Sequence, residues 1–260
     1  MTRKDYFVAG LSKWHRANKR KFRWRKESDP YRILVSELML QRTQARQVEP
    51  VYLEFIRRFP NPSELAVASV GDIEGVLYPL GLAHRGIRIK RMAEQLRDRH
   101  DGAVPDDIES LLDLSGVGRY VASAVLSFGF GRDVAVVDAN VARVIIRFFS
   151  FNPKTVRPHT DRALWAFCQK ILPADSGPHF NRALLDFAAA ICTARKPRHE
   201  QCPVKDYCAW YETGTTKLSV VRQEANLSDY VTSHRCRRRR PEDKIGSGRD
   251  FAWNKTSNST

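Results

Sequence analysis

The sequence predicts an all-α fold, and three observations support this class. Apolar residues recur at spacings of three and four along most of the chain, as at Leu11 and Trp14 and again at Val51 and Phe55. Proline and glycine fall between these segments. No apolar–polar alternation is strong enough to indicate a strand. We therefore expect many helices of ordinary length, joined by short connections.

Composition and charge narrow the class of protein further. The 260 residues suit one large domain or two small ones, and 42% hydrophobic residues are enough for a core. The formal charge of +15 favours a polyanionic partner such as DNA or RNA. The first residues hold no apolar run that suits a signal peptide or a membrane span, so we expect a cytoplasmic protein without membrane contact. Polar and basic residues accumulate late in the chain and predict a disordered basic tail at 211–260.

The first segment with chemical character is "SDPYRILVSELMLQRTQ", residues 28–44. Asp29 before Pro30 predicts a helix start, and Glu37 then lies on the same apolar face as Leu38. A carboxylate on such a face is costly unless it is paired or protonated. We therefore expect the pKa of Glu37 to be raised, as suits a general acid. A buried structural glutamate paired with an arginine is the alternative.

The second segment is "PDDIESLLDLSGVGRYVASAVLSFGFG", residues 105–131, and it predicts a helix-hairpin-helix. Gly116, Val117 and Gly118 form the predicted tight turn, and the second helix begins near Arg119. Backbone N–H groups in such a turn can approach a phosphate oxygen, and the helix N-terminus adds favourable partial charge. An ordinary turn between two helices is the alternative.

The third segment, "RDVAVVDANVARVIIRFF" at 132–149, places Asp138 at the end of an apolar run and before a helix. This is the position of an N-cap, where helix N–H groups favour the ionised carboxylate. A cap without further role is one interpretation. An ionised carboxylate close to a phosphate-binding hairpin is repelled by the bound phosphate, because like charges repel. Its presence there at this cost favours a functional role.

The fourth segment carries the spacing Cys192-x6-His199-x2-Cys202-x5-Cys208. Three thiols and an imidazole can ligate an iron–sulfur cluster, and the same set suits a tetrahedral zinc ion. A third possibility is a site without a four-iron group, in which His199 is an ordinary surface residue. The spacing of the thiols favours a metal site over an accidental arrangement.

Taken together, "LVSELMLQRT", "LDLSGVGRY", "VVDANVARV" and the cysteine segment resemble the endonuclease III superfamily of helix-hairpin-helix DNA glycosylases. The resemblance covers roughly residues 5–210. It implies a two-lobed all-α fold with a C-terminal metal-cluster loop at 192–208. One lobe would be a six-helix barrel at 22–132, and the other would combine 1–21 with 133–210.

The resemblance also implies roles for the carboxylates. Asp138 corresponds to the catalytic carboxylate of the family, and Asn140 corresponds to the asparagine that supports it. Glu37 would supply a proton or orient water. Bifunctional members carry a lysine where this chain has Tyr120, so we expect a monofunctional enzyme in which Tyr120 lines the base pocket.

Further roles concern DNA and the cofactor. Gln41 would fill the gap left by a flipped base, Arg42 would face the opposite guanine, and the hairpin turn would hold a phosphate. The family's four cysteines bind a 4Fe-4S cluster, and this chain keeps every interval but has His199 in place of one cysteine. We expect a cluster with three cysteine ligands and one histidine ligand, with zinc or no cluster as the alternatives.

Within the superfamily, Tyr120, "GLAHRGIRIK" at 81–90 and "DFAAAICTARKP" are most similar to the glycosylases of thymine–guanine and uracil–guanine mismatches. Adenine glycosylases are the next most similar subtype. The expected partner is double-stranded DNA with a mismatched base, bound by a monomer associated with the nucleoid. A catalytically silent DNA-binding protein and a zinc-bearing interaction module are the alternatives from other classes.

Overall fold

The computed structural model describes residues 1–213, and every regular element in this range is helical. The all-α prediction is therefore confirmed for that part of the chain. None of its helices has the length and apolar character that crossing a bilayer requires. The last helix continues to Thr213, so residues 211–213 do not belong to the predicted tail. The remainder of that prediction, residues 214–260, lies outside the described residues.

The helices of residues 1–213 are separated mostly by short connections. The α-helices are α1 (Arg3–Asn18), α2 (Pro30–Leu40), α3 (Ala45–Arg58), α4 (Pro62–Val67), α5 (Val70–Leu77), α6 (Gly86–Arg99), α7 (Ile108–Asp113), α8 (Arg119–Phe128), α9 (Ala139–Phe149), α10 (Arg162–Ile171), α11 (Gly177–Ala190) and α12 (Ala209–Thr213). Shorter 3-10 helices are Arg23–Lys26, Tyr78–Leu80, Ala83–Arg85, Pro158–Thr160, His199–Gln201 and Lys205–Tyr207.

Aspartate caps fix where the helices of the site begin. Asp29 caps α2 and accepts the backbone N–H of Tyr31 at 2.8 Å, with Pro30 in the first turn. Asp107 caps α7 by accepting the N–H of Ser110 at 2.8 Å. These contacts satisfy N–H groups that have no partner inside the helix. The helix start that the sequence predicts at Asp29 is therefore confirmed.

Two hydrophobic cores lie in the described chain. The first is built from α2 to α8, and the second from α1 and α9 to α11. The extended segment between α8 and α9 passes between them, because Val136 packs in the first core while Ala135 and Val137 pack in the second. The buried Asn181 of α11 ties this segment down by donating to the Val134 carbonyl at 2.8 Å. The exact lobe boundaries remain a prediction.

Candidate functional site

Glu37 lies on the buried face of α2, where the sequence places it, and is only 6% exposed. Burial raises its pKa, although the charge of Arg25 and a hydrogen bond with Tyr120 act in the opposite direction. Its Oε2 atom has no hydrogen-bond partner among residues 1–213. The expected direction of the pKa shift is confirmed, and the carboxyl group keeps one polar atom free.

Tyr120 lies in the first turn of α8, next to Glu37. Burial raises its pKa well above the ordinary value, and the nearby carboxylates of Glu37 and Asp138 raise it further. The phenol therefore stays neutral and can act as a hydrogen-bond donor. Three residues that are far apart in sequence thus lie close together at one site.

Asp138 is the N-cap of α9, as the sequence predicts. Its Oδ1 atom accepts the backbone N–H of Asn140 at 2.9 Å and that of Val141 at 2.7 Å. Its Oδ2 atom accepts the Asn140 side-chain amide at 2.7 Å. Both oxygens are therefore held by N–H donors, which bind the ionised carboxylate and fix its orientation.

Sequence reasoning missed Arg143, which continues this network. Its guanidinium donates to the Asn140 side-chain oxygen at 2.9 Å, to the Cys192 carbonyl at 3.0 Å and to the Ala188 carbonyl at 3.0 Å. Arg143 lies one turn after Asn140 on α9, and this spacing was the signal available in the sequence. The start of α9 is thereby connected to the cysteine segment.

The predicted hairpin is present as α7, a tight turn and α8. Gly116 adopts φ +84, a conformation that favours glycine, and a Cβ atom at Gly118 would meet nothing within 4 Å. The exposed backbone of the turn is open to a ligand. The Arg119 guanidinium, however, lies over the Trp165 ring at 4.2 Å. The sequence did not predict this side-chain contact.

Gln41 and Arg42 lie in the turn that follows α2. Arg42 has φ +66, a left-handed conformation that is uncommon for a residue other than glycine. Arg85 braces the turn by donating to the carbonyls of Leu38 at 2.9 Å and Gln41 at 3.1 Å. Sequence reasoning missed Arg85, which lies inside the 81–90 segment. Arg85 thus connects the 81–90 segment with the turn after α2, two segments that the sequence prediction did not place together.

The cysteine segment borders a small, largely apolar cavity. All four predicted ligand residues line this cavity: Cys192, His199, Cys202 and Cys208. The structure therefore brings the complete predicted ligand set together around one space. Burial raises the pKa of Cys202 to about 11, so a metal group must displace the thiol proton when it binds.

Neighbouring side chains fix the walls of this cavity. Arg147 of α9 donates to the Thr193 carbonyl at 2.7 Å and lies 3.5 Å from the Cys192 sulfur. Its guanidinium also stacks on the Trp210 ring at 4.6 Å. The His199 ring lies edge-on to Trp210 at 5.2 Å. The histidine is consequently held at the cavity by aromatic contacts.

A zinc ion and a four-iron cluster can both use thiol and imidazole ligands, but they require different positions of the ligand atoms. A single zinc ion requires four ligand atoms within about 2.3 Å of one point. No three histidine, cysteine, aspartate or glutamate side chains among residues 1–213 converge in this way. A four-iron cluster attaches each ligand to a different iron, so its ligands surround a volume. Three thiols and an imidazole around one cavity are therefore a donor set that an iron–sulfur cluster can use.

The fold and the arrangement of these side chains agree with the class of protein that the comparisons identify. The family described as HhH-GPD superfamily base excision DNA repair protein matches residues 35–170, and the iron–sulfur binding domain of endonuclease III matches residues 192–208. The chain belongs to this helix-hairpin-helix superfamily. It is a DNA glycosylase that hydrolyses N-glycosyl bonds, and its C-terminal segment is an iron–sulfur binding segment. The predicted fold and enzyme class are confirmed.

Particular relatives place the chain within the superfamily. It is 40% identical over 215 residues to a thymine/uracil-DNA glycosylase of Pyrobaculum aerophilum, a match that covers 80% of this chain and 94% of the relative. An adenine DNA glycosylase of Mycobacterium tuberculosis is 38% identical over 211 residues, covering 78% and 67% respectively. A solved thermostable thymine-DNA glycosylase is 32% identical with TM-score 0.78, covering 81% of this chain and 97% of that structure.

Proposed function

We propose that the chain is a monofunctional glycosylase that removes thymine or uracil opposite guanine from duplex DNA. The observation that carries this proposal is the proximity of Glu37, Tyr120 and Asp138, which act on one another's protonation. It offers a proton donor and a carboxylate, with a phenol at the position where bifunctional members have an amine. The similarity to thymine/uracil-DNA glycosylases supports the choice of base.

Glu37 acts on the leaving base. The mismatched nucleotide is flipped from the stack into the pocket, which is easier when its pairing is weak. As the glycosidic bond breaks, its electron pair moves onto the base. Glu37 is suited to deliver a proton to the base or to orient the incoming water, because burial keeps its pKa raised. Base release then completes the first half of the reaction.

Asp138 acts on the sugar. Positive charge develops at the sugar carbon when the base departs, and a fixed carboxylate stabilises that charge. Asn140 holds the Asp138 carboxylate through its side-chain amide at 2.7 Å. The second network partner, Arg143, holds Asn140 in turn. The geometry therefore supports an oriented anion that needs little rearrangement during the reaction.

Tyr120 determines how the sugar cation is captured. A lysine at this position would attack the sugar carbon and form a Schiff base, which leads to strand cleavage. The Tyr120 phenol stays neutral and is not an amine nucleophile. Water therefore adds to the sugar carbon and gives its proton to solvent or to a carboxylate. The product is an intact abasic site.

The proposed partner is double-stranded DNA that carries a mismatched base, bound by one copy of the chain at the nucleoid of the cytoplasm. The exposed hairpin turn at Gly116 and Gly118 would hold a phosphate through its backbone N–H groups. Gln41 would fill the gap left by the flipped base, and Arg42 would face the opposite guanine. The fixed turn that carries both residues supports this assignment.

The proposed cofactor is a 4Fe-4S cluster held by Cys192, Cys202, Cys208 and His199. All four residues line one cavity. At its edge, Arg147 donates hydrogen bonds to the Cys192 sulfur and to the Thr193 carbonyl. When bound, the cluster would join the separate turns of the segment into one rigid surface. Iron and sulfide analysis with zinc measured in parallel tests the assignment, and zinc without sulfide would refute it.

Removal of adenine is the second candidate function. The observation that favours it is the 38% identity to an adenine DNA glycosylase. Glu37 and Asp138 serve either chemistry, because both reactions break a glycosidic bond and develop charge on the sugar. The two subtypes are therefore separated by the base accepted in the pocket and not by the carboxylates.

The decisive experiment measures base release from labelled duplexes that contain T:G, U:G, A:G or A:8-oxoguanine, with and without an alkali step. Strand cleavage of the T:G and U:G duplexes only after alkali is the expected result. Release from the adenine-containing duplexes instead would assign the second candidate function. Tight binding without release from any duplex would contradict both and favour a silent DNA-binding protein.

A further inference from the structure

A buried carboxylate, Asp186, lies on α11. Asp186 is 1% exposed and accepts hydrogen bonds from the Arg25 guanidinium at 2.7 Å, His15 at 3.1 Å and the Arg20 backbone N–H at 3.2 Å. Burial alone would raise its pKa, but the hydrogen bond from His15 and the charge of Arg25 prevail and lower it. Asp186 is thus an ionised group with a guanidinium as its charged partner.

Arg25 is the charged partner of Asp186, and its charge also acts on Glu37. It lies in the short helix Arg23–Lys26, a few residues before α2. Its charge is the strongest influence that opposes the effect of burial on Glu37. Arg25 Nε is a buried donor without a partner among residues 1–213, and Glu37 Oε2 is a buried acceptor in the same condition. Such atoms are uncommon in folded proteins, and functional sites are among the places where they occur.

We propose that Asp186 is a positioning residue for base excision, which anchors the Arg25 guanidinium and so fixes the positive charge that faces Glu37. This inference rests on the proposed role of Glu37. Asp186 does not touch the flipped base; it acts through Arg25. The role needs a buried anion with well-oriented partners, because an arginine side chain is otherwise free to adopt many rotamers.

The other groups that act on Glu37 come from separate elements. Tyr120 approaches from α8, Asp138 from the start of α9 and Arg182 from α11. Arg182 also donates to the Arg25 backbone carbonyl and stacks on Phe128 at 5.0 Å. Arg182 therefore holds the backbone of Arg25 and not its guanidinium. The orientation of the Arg25 side chain itself depends on Asp186.

The test compares the pH dependence of single-turnover base release in the full chain and in Asp186→Asn. Without the fixed positive charge, the pKa of Glu37 rises, and its protonated form persists to higher pH. The limb on which excision falls with increasing pH should therefore move upward by about one unit. Arg25→Gln should give the same displacement, and Arg25→Lys should restore most of the wild-type profile.

A matched control separates positioning from general destabilisation. Asp161 is likewise a buried carboxylate, 4% exposed, but it caps α10 and accepts the N–H of Ala163 at 2.8 Å. Asp161→Asn should lower the melting temperature and leave the pH limb in place. If Asp186→Asn does not fold, Asp186→Glu replaces it, because it keeps the negative charge but alters the contact with Arg25, and it should move the limb in the same direction.

A second measurement does not depend on activity. Carbon-13 NMR of labelled glutamate carboxyl groups, with Glu37→Gln for assignment, follows the titration of Glu37 directly. A Glu37 resonance that titrates at the same pH in the wild type, Asp186→Asn and Arg25→Gln would overturn the inference. A pH limb that survives in Glu37→Gln would instead refute the proposed role of Glu37, so the two failures are distinguishable.

Discussion

The two carboxyl groups of the pocket have opposite surroundings. Asp138 has N–H donors on both oxygens, at distances from 2.7 to 2.9 Å. Glu37 is buried with one oxygen unpaired, and burial raises its pKa. The first environment stabilises a negative charge, whereas the second favours a bound proton. The same functional group can therefore serve as an electrostatic stabiliser at one point and as an acid a short distance away.

The elements behind these groups differ as well. Asp138 begins α9, and that helix is attached to the cysteine segment through Arg143 and Arg147. Glu37 lies in the middle of α2, within the first hydrophobic core, and its neighbours Tyr120 and Arg25 come from other elements. The N-terminus of α9 thus fixes the orientation of Asp138, whereas burial raises the pKa of Glu37.

Replacing Asp138 with asparagine should have the largest effect. The substitution removes the negative charge while keeping a side-chain oxygen that can still cap α9, so the fold should persist. We expect single-turnover base release to fall by about 10³-fold, because the developing sugar cation loses its fixed counter-charge. Binding to the mismatched duplex, measured by fluorescence anisotropy, should change little. Activity close to the wild type would contradict the assignment of Asp138.

Glu37→Gln should have the next largest effect. The amide preserves shape and hydrogen bonding but cannot donate a proton to the leaving base. We expect about a 10²-fold loss of single-turnover rate. The more specific result is the pH profile, which should lose the limb where activity declines with rising pH. A rate reduced at every pH with that limb unchanged would show that another group titrates.

The sequence predicted the helical class and the positions of both carboxylates on their helices. Asp138 could be placed because an aspartate before an apolar helical run is an N-cap, and this is a local rule. Glu37 could be placed because an acidic residue on the apolar face of a helix must be buried. Local rules also predicted the hairpin, since Gly116 needs a left-handed turn.

The arginines of the site were beyond such rules. Arg25 and Asp186 are hydrogen-bonded across 161 positions of the chain, and Arg85 reaches the carbonyls of a different loop. Nothing in the local pattern distinguishes these arginines from the many exposed ones in so basic a chain. Their roles follow from tertiary packing, which brings a particular guanidinium to a particular buried acceptor.

The cysteine segment offers a test with a smaller effect on chemistry. His199→Ala removes an expected ligand, so purified protein should contain less iron and sulfide than the wild type, whereas His199→Cys should keep both. DNA affinity should fall with the iron content. The single-turnover rate at saturating protein should fall by less than in Glu37→Gln, since the segment lies outside the pocket. Equal iron content in His199→Ala and the wild type would exclude the histidine ligand.

Tyr120→Phe should give the smallest change and isolates one contact of Glu37. The phenol hydrogen-bonds with the Glu37 carboxyl and so opposes the effect of burial on its pKa. Without this bond the pKa of Glu37 should rise further, because one interaction that favours the ionised carboxylate is lost. The limb where excision falls with rising pH should then move upward, with only a few-fold change in rate at lower pH. A large loss at every pH would instead mean that the Tyr120 hydroxyl contacts the base or the sugar. Tyr120 would then take part directly in excision and would not act only through the pKa of Glu37.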